Sequence, residues 1–276
     1  MIKSLYETLK RSYVARICTI YFVAIAIWWV TIHIRGVENG VEILFLTLLY
    51  PLIVGPGLVC GLMIAKKWGG RKSQLGRALL FLTIGFGFQL IGQAVYEYYV
   101  YVKNITTPYP SWGDVGYFGT VILYMLGAIA LAKAMRNELS LRFFKGKTLA
   151  VVIPLIMLSI TTIFFLRGYT PDWSQPLRTF LDLGYPIGDA IYVSAALLVF
   201  ALSRNFLGGI IRAPILFLIF ALIMQYCTDF AFLYQAGRGT YYVAGSVDFL
   251  CFFAYFVMTL ALLQLGVALQ RFKEVK

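Results

Sequence analysis

The chain has 276 residues, of which 61% are hydrophobic and only 13% charged, and its mean hydropathy is +0.80. That balance excludes a soluble globular domain, in which about a quarter of the residues carry charge. The formal net charge of +12 invites a nucleic-acid reading, but such binding needs the basic residues gathered on a solvated domain, and the sequence contains none.

Apolar runs long enough to cross roughly 30 Å of hydrocarbon fall at about 17–34, 43–65, 78–101, 114–134, 149–166, 184–203, 213–235 and 246–269. They predict an all-α polytopic membrane protein, a single transmembrane domain of eight helices over residues 1–276. The first run follows a basic start (Lys3, Lys10, Arg11, Arg16) that resembles a signal peptide. Trp28, Trp29 and Val30 close it where a cleavage site needs small residues, so it is read as a spanning helix. In the second run Gly57 and Gly61, beside Pro51 and Pro56, predict close helix packing or a kink rather than dimerisation. The third run carries Gln89, Gln93 and Glu97 at i, i+4 and i+8, on nearly one face.

Behind the third run lies a glycosylation sequon, Asn104-Ile105-Thr106, and then "PYPSWGD", which opens the fourth run with Asp114. The sixth run opens on "YPIGD" with Asp189 and the eighth on "GSVD" with Asp248. Inside the seventh, Gln225 and Asp229 stand one turn apart, with Asp229 about two turns from the outer end. Tyr98, Tyr99, Tyr101, Tyr109, Trp112, Tyr241 and Tyr242 gather near one interface, as an aromatic belt or as the lining of a ligand cleft. Cys18, Cys60, Cys227 and Cys251 all fall within spans and read as packing residues.

Nineteen of the 24 lysines and arginines fall on one side of the eight-span arrangement: the N-terminus, 66–77, 133–147, 204–212 and the C-terminus. The positive-inside bias then places both termini in the cytoplasm of a cell that carries the protein in its inner or plasma membrane. The acids are distributed oppositely, with only Glu7, Glu138 and Glu274 on the basic side.

Residues 79–136 can be laid over 215–269, so that Gln89 meets Gln225, Gln93 meets Asp229 and Asp114 meets Asp248. This predicts an internal hairpin repeat formed by spans 3–4 and 7–8. A carboxylate in a span costs roughly 2.5–3.5 kcal/mol on insertion scales and turns inward to protein or water. Asp229, Glu97, Gln93, Gln89 and Gln225 are therefore candidates for binding a ligand or proton in an outward-facing polar pocket. For the helix-start carboxylates Asp114, Asp189 and Asp248 the competing reading is capping of free N–H groups at the positive end of a helix dipole, with Pro110 and Pro186 marking loop-to-helix junctions.

The single histidine, His33, cannot furnish a multi-histidine metal or haem site, no lysine lies deep in a span for a Schiff base, and no phosphate-binding loop or nucleophile elbow is present. Neither a cofactor nor a metal is expected.

The stretches "PYPSWGDVGYFGTVILYMLGAIALAK", "YPIGDAIYVSAALLVFAL" and "CTDFAFLYQAGRGTYYVAGSVDFLCFFAYFVMTLALL" resemble the multi-helix membrane region at the N-terminus of certain bacterial diguanylate cyclases and sensor kinases. The resemblance covers roughly 79–269 and rests on Pro110, Ser111 and Asp114, on Tyr185, Pro186 and Asp189, and on Asp229 followed by Asp248. It implies an input module that detects something outside or in the bilayer. The sequence departs from that pattern in carrying no cyclase, kinase or phosphodiesterase domain before Lys276, so any output is expected from another polypeptide. The leading expectation is a stand-alone sensor-like or accessory protein, touching membrane lipids and a cytoplasmic signalling partner through the basic loops 66–77 and 133–147. The alternative is a small secondary transporter coupling a proton or cation through Asp229 or Glu97. A third reading is a lipid-modifying enzyme using an acid pair such as Asp229 with Glu97.

Overall fold

The computed structural model describes residues 2–37, 40–135, 144–203 and 210–275, and among these the structure is helical, without strands. Among the described residues eight segments are long and apolar enough to cross a membrane: Tyr13–Ile34, Val41–Lys67, Gln74–Val102, Gly113–Ala134, Thr148–Leu166, Pro176–Ala201, Arg212–Gly237 and Ser246–Phe272. The chain is thus a multi-pass membrane protein, as its hydropathy predicts.

Ahead of the first span lies α1 (Ile2–Arg11), a short amphipathic helix that hydropathy does not mark. Its Ser4 hydroxyl accepts from Gln264 Nε2 at 2.8 Å, and Arg11 donates to Glu274 at 2.8 Å, so the two ends of the chain lie on one face of the bundle. Helix α2 (Tyr13–Ile34) starts where the Ser12 hydroxyl accepts from Ala15 N at 3.2 Å. The second span is α3 (Val41–Leu49), a tight 3-10 turn over Tyr50–Ile53 containing Pro51, and α4 (Val54–Lys67). Pro51 lacks the amide a continuous ladder needs, which accounts for the break between α3 and α4. Helix α5 (Gln74–Glu97), capped by the Ser73 hydroxyl on Gly76 N at 2.8 Å, continues into a wider turn over Tyr98–Val102. Then come α6 (Gly113–Ala134), α7 (Phe144–Thr161), α8 (Pro176–Ser203), α9 (Arg212–Gly237) and α10 (Ser246–Val275).

Six helices close a ring: α4 packs on α5, α5 on α6, α6 on α8, α8 on α9, α9 on α10, and α10 back on α4. Helix α2 lies outside against α10, and α7 outside against α8. Burial follows this layout, since 78% of the apolar window of the last span is buried against 17% of the first and 11% of the fifth. Peripheral helices present Ile17, Ile20, Ile27, Leu155 and Phe164 outward, as a hydrocarbon environment requires.

Gly57 and Gly61 serve packing inside the chain. A methyl on Gly57 would come within 2.6 Å of Thr259 and 2.7 Å of Phe86, and one on Gly61 within 2.7 Å of Thr83. All four cysteines are free thiols. The sequon residue Asn104 sits in an exposed loop with φ 53°.

The loop before α8 is held by Asp172, whose Oδ1 accepts from Ser174 N at 3.0 Å and from the Ser174 hydroxyl at 2.6 Å. These hydrogen bonds hold its carboxyl below the usual range. The folded pKa is depressed, so the turn's contribution is present above about pH 3.9, the ordinary aspartate value, and is lost as pH falls below it. Pepsin cleavage within 167–175 should therefore rise as pH is lowered from about 4 to about 2, and this rise should be absent in Asp172→Asn.

Candidate functional site

Polar side chains in a bilayer are retained only where other protein groups receive them. Here they converge on the interior of the six-helix ring. On the α5 side Gln89, Gln93 and Glu97 share one face, with Gln89 and Gln93 buried and Glu97 partly so. Gln93 Nε2 donates to Glu97 Oε1 at 3.2 Å, the Tyr117 hydroxyl of α6 donates to Gln93 Oε1 at 3.2 Å, and the Tyr255 hydroxyl of α10 reaches Gln89 Oε1 at 3.4 Å. On the α9 side Gln225 Nε2 donates to Asp229 Oδ1 at 2.8 Å, and the Tyr192 hydroxyl of α8 donates to Asp229 Oδ2 at 3.1 Å. Tyr255 stands between the two groups, near enough to both Tyr117 and Asp229 for electrostatic interaction. Glu97 and Asp229 are not joined by a hydrogen bond among the described residues; each is tied to the glutamine one turn before it.

Two helix-start carboxylates behave as end groups. Asp114, the second residue of α6, accepts from Ser111 N at 2.7 Å and from the Tyr185 hydroxyl at 2.8 Å. Asp248, the third residue of α10, accepts from Ala244 N at 2.5 Å and from the Tyr241 hydroxyl at 3.0 Å. Each reaches back to an upstream amide and takes one tyrosine hydroxyl. Beside Asp248 lies a cavity of about 10 Å³, room for about one water, lined by Trp29, Leu46, Tyr50 and Phe252 among others.

Asp189 corrects the sequence reading. The expected helix start at Tyr185-Pro186 does not exist, because α8 begins at Pro176 and carries Pro186 in its interior, which leaves Asp189 in mid-helix and 2% exposed. An end-capping role is therefore closed to it. The Thr161 hydroxyl of α7 donates to Pro186 O at 3.3 Å and ties α7 to α8 beside this proline.

The partners that sequence reasoning missed are tyrosines. Tyr117, Tyr185, Tyr192 and Tyr255 supply the hydroxyls that reach Gln93, Asp114, Asp229 and Gln89. A tyrosine within an apolar run was the available signal, since a buried tyrosine hydroxyl usually finds an acceptor. Two of the interface tyrosines do the same: Tyr109 donates to Asp182 at 2.8 Å and Tyr241 to Asp248. Burial, and then the neighbouring carboxylate, pushes both hydroxyls above the usual tyrosine range. His33 lies against Trp29 with ring centroids 3.9 Å apart and the rings tilted by 33°, its Nδ1 2.9 Å from Trp29 O.

No protein-family model, no curated protein and no solved structure matches the chain.

Proposed function

We propose that the chain is a sensor-like or accessory protein of a cell membrane, with both termini cytoplasmic, which takes an input at the ring interior and passes it to a separate signalling partner. One observation carries this reading: Asp229, Gln93 and Gln89 are each held by a hydroxyl from a different helix, those of Tyr192, Tyr117 and Tyr255. A ligand that displaces one of these hydroxyls alters a contact between helices and so favours one arrangement over another. The resemblance to membrane regions that precede bacterial cyclases and kinases supports the same reading.

The basic segment 66–77 suits contact with anionic lipid or a partner. Trp68, its third residue, donates to Leu265 O at 3.3 Å and so stands on the face that holds the chain ends. Most of the second basic loop, 136–143, lies outside the described residues, as do the acids Glu38 and Glu138.

Purification of the tagged protein from its own membrane in mild detergent, with mass spectrometry of what remains bound, tests the proposal. A stoichiometric cyclase, kinase or other cytoplasmic enzyme is the expected result. Recovery of the chain alone, together with proton or sodium flux in proteoliposomes that Asp229→Asn abolishes, would replace it with the transporter reading. That second reading is favoured by one observation, the placing of Asp189 near Asp229 inside the ring. In it the hairpins 79–136 and 215–269 would move about that pair.

A further inference from the structure

Asp189 on α8 and Asp229 on α9 interact electrostatically across the helix contact, and among the described residues no lysine, arginine or histidine acts on either. Two carboxylates so placed repel, and each alone would be costly to bury in ionised form. The surrounding oxygens are also short of partners. Asp189 Oδ1, Gln225 Oε1, Tyr124 Oη and Tyr226 Oη are buried and make no hydrogen bond, although Asp189, Gln225 and Tyr124 are each no more than 2% exposed. Four of the seven such atoms described in the chain thus belong to groups around this one pair: Gln225 is bonded to Asp229, Tyr226 faces Asp189, and Tyr124 meets Tyr192 edge to face at 5.8 Å.

We infer that Asp189 and Asp229 form a binding site for a small hard cation, protons or a metal ion, with Gln225 Oε1 and tyrosine hydroxyls as neutral oxygen ligands. A cation answers both deficits together. It supplies the positive charge the two carboxylates lack, and it is a partner for oxygens that no protein donor reaches. The donor set is oxygen throughout, the chemistry that suits protons, alkali ions and the harder divalent ions. The site does not depend on whether the chain senses or transports, because it concerns occupancy alone. The other titratable groups near the pair are Tyr192 on α8, Tyr226 and Cys227 on α9, Tyr124 on α6, and Tyr255 and Cys251 on α10.

The test is the unfolding midpoint of the full chain in detergent, titrated with sodium, potassium, magnesium or calcium chloride against choline chloride at matched ionic strength, and separately with acid. The midpoint should rise saturably with one of these ions, or with protons alone, and the arm that responds identifies the occupant. Asp189→Asn and Asp229→Asn should abolish the response, whereas Glu42→Gln, which breaks only the ion pair with Arg35, should keep it. Tyr192→Phe, which removes a hydroxyl and leaves both carboxylates, should raise the half-saturating concentration by about tenfold. Should the aspartate variants fail to fold, Tyr192→Phe and Glu42→Gln still decide the matter. An equal response to choline, or half-saturation unchanged in Tyr192→Phe, would overturn the inference. Loss of the proposed partner would leave these titrations unaffected, so the two proposals fail separately.

Discussion

Gly116→Ala is expected to lower the unfolding midpoint more than any other glycine-to-alanine change on α6. A methyl at Gly116 would overlap the backbone of Gly92, at its amide nitrogen and at 2.7 Å from its Cα, and would approach Phe88 O at 2.7 Å. Side chains can rotate away from an added methyl, as Phe88 can at Gly119, but the backbone of α5 cannot. The helices must therefore separate along their whole contact. That contact includes the hydrogen bond from the Thr120 hydroxyl to Gly85 O at 2.9 Å and the seat of Leu82 on Gly127. Overpacking of this kind costs roughly 1–3 kcal/mol, and small residues are what let helices approach so closely in a bilayer. Gly55→Ala is the control, since a methyl there meets nothing within 4 Å. Thermal or detergent unfolding of the two variants side by side measures the difference, and equal midpoints would refute the close α5–α6 approach.

The second large effect is expected at Asp248. Replacement by alanine removes the acceptor of Ala244 N and of the Tyr241 hydroxyl, and each orphaned buried donor costs roughly 1–3 kcal/mol. The damage should extend beyond the two bonds. Ala244 holds φ 60°, a left-handed conformation that a residue with a Cβ adopts reluctantly, and its carbonyl receives Trp29 Nε1 at 2.8 Å from α2. Freed from Asp248, the turn can relax, and the contact between α2 and the start of α10 goes with it. Asp248→Asn keeps one oxygen acceptor and should lose less than half as much. Indole fluorescence of Trp29 during unfolding, in variants that remove the other tryptophans, reports the loss directly. A midpoint for Asp248→Ala equal to that of Asp248→Asn would show that the carboxylate does not hold the turn.

The placing of Asp114 and Asp248 at helix starts was legible in the sequence because a helix end is a local matter, but each accepts from an amide upstream of its helix, Ser111 N and Ala244 N, and not from the helix's own free amides. Asp189 was misread for the same reason: Tyr-Pro followed by Asp carries the local signature of a helix start, and nothing within four residues reveals that the helix has already run from Pro176. The helix α1 went unmarked because it is amphipathic rather than apolar, and a hydropathy window averages its two faces. Gln89, Gln93 and Glu97 were legible as one stripe, since helical periodicity fixes which positions share a face.

The number of spans and their order along the chain follow from composition and length, because a segment of some twenty apolar residues has few alternatives to crossing a bilayer as a helix. Which carboxylate meets which partner is a different kind of fact. Tyr192 reaches Asp229 across 37 residues, Tyr185 reaches Asp114 across 71, and Tyr255 reaches Gln89 across 166, the last two from helices that are not their partner's neighbour in sequence. Hydropathy makes apolar helices nearly interchangeable as packing partners, so it carries no information about such pairings. They are selected by the close approaches at Gly92 and Gly116 and by the acceptors that Asp229, Asp114 and Gln89 offer to tyrosine hydroxyls. The placing of Asp189 beside Asp229 came from that closure of the six-helix ring, which brings α8 and α9 together and is a property of the packed bundle.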